Sequence, residues 1–66
     1  MTSSRARLGR ALKSIRAAAN MTLADVSAKT GLAISTLSKV ENGLMSLTYD
    51  KLLQLSEGLK VDFATI

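Results

Sequence analysis

Two stretches of about eight residues, "LADVSAKT" and "ISTLSKVE", each carry one apolar stripe, and only "GLA" separates them. Helices this short are unstable alone, because nucleation fixes three residues for a single hydrogen bond. They must therefore pack on each other and on their neighbours, across a turn tight enough to need positive φ at Gly31. In the first stretch Leu23, Val26, Ser27 and Thr30 share a face, and the small Ser27 admits a steep, close helix crossing. In the second, Leu37 and Val40 form the stripe with Glu41 nearby, while Ser35, Ser38, Lys39 and Asn42 point the other way. A face that is merely solvated favours Glu, Lys, Gln and Arg, which are better helix formers than Ser or Asn. This face carries short hydrogen-bonding groups and one cation.

The remaining elements are helical too. With 66 residues the chain is one domain near the lower size limit for independent folding, and it has no Cys for a disulfide and no Pro. Only Tyr49 and Phe63 are aromatic, so the core is expected from Leu, Ile, Val, Met and Ala. A first helix is expected from Ser4 to Ala19, with Leu8, Leu12, Ile15 and Ala19 on one face and Asn20 as a left-handed cap. The second starts at Thr22, where "TLAD" offers a capping box and Met21 can staple onto Val26. The third starts after Ala33, which offers no side-chain cap, and stops at "NG". A fourth starts after Thr48 with Asp50 in its first turn, carries Leu52, Leu55 and Leu59, and has Gly58 to loosen its end. "VDFATI" opens a fifth at Asp62, cut off after barely a turn, so the chain is expected to continue beyond Ile66. The fold class is a compact all-α domain of four to five helices.

Composition removes several functions. There is no His and no Cys, and Asp25, Glu41, Asp50, Glu57 and Asp62 are scattered. No spacing suits a metal site, an acid/base pair or a phosphate-cradling loop, so neither enzyme activity, metal nor cofactor is expected. The net charge of +4 and pI near 10 favour a polyanion. Arg5, Arg7, Arg10, Lys13 and Arg16 all precede the first acid, Asp25, although a simply solvated basic helix has the same appearance. No membrane span or signal peptide is evident, which points to a soluble cytoplasmic protein.

"LADVSAKTGLAISTLSKVENG" resembles the helix-turn-helix of the lambda-repressor and Cro-like DNA-binding domains. The resemblance rests on Val26, Ser27, Gly31, Leu32, Leu37, Val40 and the closing Glu41-Asn42-Gly43, and "SLTYDKLLQLSEGLKVD" is similar to that family's fourth helix and the start of its fifth. It spans about residues 8–66, with the motif itself at about 22–43. "MSLTYDKLLQLS" further resembles the subset of such regulators that continue into a C-terminal sensor domain.

The resemblance implies a prokaryotic or phage-type transcriptional regulator that binds double-stranded DNA sequence-specifically, with residues 34–42 in the major groove. Ile34, Ser35 and Lys39 fall where base-reading side chains sit, with Ser38 beside them; for Ile34, the edge of the core is an equal alternative. Thr22, Thr36, Asn42 and Lys51 are the implied phosphate contacts, although Thr22 also has a role as a cap and Lys51 as a solvated lysine. Arg16 and Glu41 match a structural ion pair between the first and third helices. A near-palindromic operator and a homodimer are implied, formed on DNA or through a missing C-terminal region. Leu44, Met45, Phe63 and Ile66 are the exposed apolar candidates for a weak contact. The alternative from another class is a helical protein-interaction module without DNA binding.

Overall fold

A computed structural model of the chain describes residues 4–63. Four helices follow one another: α1 (Ser4–Ala18), α2 (Leu23–Thr30), α3 (Ile34–Glu41) and α4 (Tyr49–Leu59). The two eight-residue helices pack on each other, α1 covers α3, and α4 covers α2. The core that joins them is aliphatic apart from one ring: Leu8, Leu12, Val26, Leu32, Leu37, Val40, Leu55 and Phe63. Met21, placed by its spacing to staple α2, packs against that core, and so does Leu47, just before α4.

The helix ends follow from local chemistry. α1 closes through Asn20 in the left-handed region at φ 57, and the Met21 amide donates to the Arg16 carbonyl over 2.9 Å. α2 opens with a complete capping box. The Asp25 amide donates to Thr22 Oγ1 over 3.1 Å, and the Thr22 amide donates to Asp25 Oδ2 over 2.9 Å. Gly31, at φ 78, ends it with its own N–H donating to the Ser27 carbonyl, and a Cβ would be strained there. α3 begins at Ala33 with no side-chain cap, and α4 begins with the Lys51 amide donating to Thr48 Oγ1.

Three expectations change. Gly58 does not loosen α4, because its missing side chain admits α2: a Cβ there would lie 2.6 Å from the Lys29 carbonyl oxygen and 2.7 Å from a Thr30 carbon. The helix runs on to Leu59, and Lys60 takes the left-handed cap at φ 56. Of the apolar residues expected to be exposed, Phe63 is instead 2 % accessible and Met45 is half-buried against the core. The Phe63 amide donates to Ser56 Oγ, whose hydroxyl donates to the Leu52 carbonyl, so the chain after α4 folds back over the core. No fifth helix begins at Asp62 among the described residues, and the rest of that expected helix, with Ile66, lies outside them. Among the described residues no helix is long and apolar enough to cross a membrane.

Candidate nucleic-acid interface

Burial divides α3 as its periodicity demands. Leu37 and Val40 have no accessible surface, whereas Ser35 and Lys39 are exposed and Thr36 and Ser38 are half-buried. Ile34 is 48 % exposed, which removes it from the edge of the core and puts it beside Ser35 at the start of the helix. Asn42 follows at the other end, exposed, with Nδ2 donating to the Ser38 carbonyl over 2.8 Å. That bond uses one amide proton and leaves the second proton and the side-chain oxygen for another partner.

The helix is held at its far end by an ion pair. Arg16 Nε donates to Glu41 Oε2 over 2.6 Å and Nη2 to Oε1 over 3.1 Å, a two-pronged geometry that fixes direction as well as distance. Nη1 donates to the Met21 carbonyl over 3.0 Å. One guanidinium thus joins α1, the lead-in to α2 and the last turn of α3. The bond to Glu41 raises the Arg16 pKa further above its already high ordinary value. The Glu41 side chain is only 8 % accessible, turned inward onto Arg16.

The turn is held separately. Thr30 is buried; its hydroxyl donates to the Val26 carbonyl and accepts from the Leu32 amide. Gln54, on α4, donates to the Thr30 carbonyl over 2.6 Å and so satisfies an acceptor that the end of α2 leaves open. Sequence reading missed Gln54. It lies 24 positions from its partner, and no spacing rule connects them.

The heads of α2 and α4 are the other candidate positions. Thr22 and Lys51 are both exposed. The Thr22 oxygen accepts the Asp25 amide within the capping box, and the carboxylate of Asp25 stands at the same helix end, facing both the Thr22 N–H and its hydroxyl. The Thr22 backbone N–H, more than its hydroxyl, keeps the Asp25 carboxyl below its ordinary pKa. Arg10 also escaped the sequence reading, except as one charge among several on α1. It is exposed and, with Ala6, lines an open recess of about 370 Å³ against Glu41, Asn42 and Gly43.

This arrangement defines a class: two short helices locked at a turn, the second presenting a polar face held from behind by α1. A family model described as "Helix-turn-helix" matches residues 12–66, and the chain belongs to that family, of the lambda-repressor and Cro-like type. Crystal structures of the restriction-modification controller protein C.Esp1396I, as wild type and as a point mutant, superpose with a TM-score of 0.84 each. They are 25% and 27% identical to this chain, and each match covers 98% of it and 84% of the controller protein chain. No curated protein sequence matches. The all-α fold and the role of a DNA-binding transcriptional regulator follow from the family and these neighbours.

Proposed function

We propose that the chain is a sequence-specific, double-stranded DNA-binding domain that inserts α3 into the major groove. Ser35 and Lys39 read base edges, Ile34 touches a thymine methyl, and Ser38 supports them. A lysine here donates to guanine O6 or N7, and a serine hydroxyl serves several acceptors. Thr22, Thr36, Asn42 and Lys51 hold phosphates on either side, which sets the register. The observation that carries this reading is the exposed Ser35 and Lys39 on a helix whose opposite face, Leu37 and Val40, is fully buried.

One recognition helix reads only a few base pairs, so the protein acts as a two-fold dimer on a near-palindromic operator, with half-sites about 34–36 Å apart. Among the described residues the exposed large apolar side chains are Ile34, Leu44 and Tyr49, a small patch beside the roughly 1,200 Å² that a stable interface buries. Dimerisation in this reading occurs on the DNA, and the protein works in the cytoplasm at the nucleoid.

Selection of bound duplexes from a random pool, followed by titration against salt, tests this. A single half-site motif should emerge, and log affinity should fall by about 0.9 per neutralised phosphate for each decade of salt. A flat salt dependence, or a pool without a motif, would rule the reading out. Sedimentation equilibrium tests the assembly: a tight dimer of the free chain at micromolar concentration would contradict dimerisation on DNA.

A further inference from the structure

Gly9 lies in the middle of α1, where glycine is a poor helix former, and it is buried. A Cβ built there would stand 2.4 Å from the Val40 carbonyl oxygen and 2.9 Å from the Glu41 carbonyl oxygen. The atoms it would meet are backbone, so no side chain can swing aside. The last turn of α3 rests directly on bare α1 backbone. Seven residues further along α1, two helical turns on the same face, Arg16 grips the carboxylate of Glu41. Glu41 is thus held twice, by contact at its carbonyl and by hydrogen bonds at its side chain. The first contact sets how far α3 stands from α1, and the second sets the direction of its end.

We infer that Gly9 is a positioning residue for base recognition: its missing side chain determines how α3 is presented to the groove. This rests on the DNA-reading role proposed above and deepens it. An Ala at position 9 needs the α1–α3 contact to open by roughly 1 Å, since carbon and oxygen do not approach below van der Waals distance and tightly packed interiors transmit such strain. Of the proposed phosphate contacts, Thr22 and Lys51 lie off α3 and keep their places, and non-directional attraction to phosphate tolerates a small shift of the others. Directional contacts from Ser35 and Lys39 to base edges do not, because a recognition constellation tolerates only about 0.5 Å of misplacement.

The test uses Gly9→Ala beside Gly58→Ala, which puts a comparable clash against α2 at the Lys29 carbonyl and leaves the α1–α3 seat intact. Each variant is first shown to be folded by circular dichroism, with sucrose or trimethylamine oxide added where needed to favour the compact state. Affinity is then measured for the selected duplex and for an unrelated duplex of equal length. For Gly9→Ala the ratio of the two affinities should fall about tenfold or more, with the unrelated duplex bound as before and the salt slope unchanged. For Gly58→Ala the ratio should change much less at a similar loss of stability. Equal losses on both duplexes, an unchanged ratio, or the same loss of ratio in both variants would overturn the inference. If the wild-type chain itself fails to discriminate the duplexes, the DNA-reading proposal falls with it; if it discriminates and Gly9→Ala does so equally, only the role of Gly9 is refuted.

Discussion

α2 and α3 have the same length, lie side by side and share one core, yet they are held in opposite ways. α2 is secured at both ends by polar contacts: the Thr22–Asp25 box at its head, and Gly31 with the Gln54 bond to Thr30 at its tail. α3 has no side-chain cap at its head and depends on buried Leu37 and Val40, on the Gly9 seat and on Arg16 at its tail. A cap makes a short helix persist by satisfying its first amides. A helix that must offer its first turn to another molecule is better held from behind, with those amides left open. The contrast fits the proposed reading, in which α2 is scaffold and α3 the presenting element.

The strongest test of that contrast is to loosen α3 where it is held. Leu37 has no accessible surface, so Leu37→Ala should lose about 2–5 kcal/mol, enough to unfold a domain of this size, as read by urea denaturation. Retention of most of the stability would mean that α3 is not held by its buried face. Next comes the tail. Glu41→Ala removes both carboxylate bonds to the Arg16 guanidinium, which keeps only the Met21 carbonyl, and should destabilise the domain by less than Leu37→Ala does. Arg16→Ala should act in the same direction, and the double variant should lose less than the sum, whereas additive losses would mean that the two do not cooperate.

Smaller effects sharpen the difference between scaffold and presenting surface. Lys39→Ala should weaken binding to the selected duplex by about 1–3 kcal/mol and relax one base pair of specificity, with thermal stability unchanged. An equal loss on every sequence would make Lys39 a phosphate contact instead. At the heads, Thr22→Ala should lose about 1 kcal/mol of stability, while Ala33→Ser should gain a similar amount by adding the missing cap. If Ala33→Ser adds nothing, the open head of α3 has another cause.

The smallest effect is in pH. The Asp25 carboxyl is held below its ordinary 3.8 by the Thr22 N–H, so its contribution is complete above that value. It is lost as pH falls through the lower, folded-state value. An acid titration of stability should therefore show a slight extra loss below about pH 4 that Asp25→Asn lacks.

Much of this molecule was legible before folding was considered. The box at Thr22 and Asp25, the left-handed residues Asn20 and Gly31, the uncapped Ala33 and the buried Leu37 and Val40 depend on contacts within about five residues or on a 3.6-residue period, and linear sequence records both. The Arg16–Glu41 pair was reachable only through resemblance to a family, because its members are 25 positions apart. Ile34 was undecided in sequence, since an apolar side chain at a helix start suits both core and groove; its exposure was settled by the turn at Gly31 and the packing of α2.

Phe63, Gly9, Gly58, Gln54 and Arg10 were decided by tertiary structure alone. Phe63 is buried because the chain reverses through Lys60 and a serine hydroxyl, Ser56 Oγ, receives its amide. Gly58 read as a flaw in α4 until α2 came to rest on it, and Gly9 carried no signal beyond a low helix propensity. The reason is common to all five. A close approach, a borrowed hydrogen bond or a shared recess belongs to two segments at once, and its chemistry exists only after the hydrophobic effect, which has no direction of its own, has brought them together.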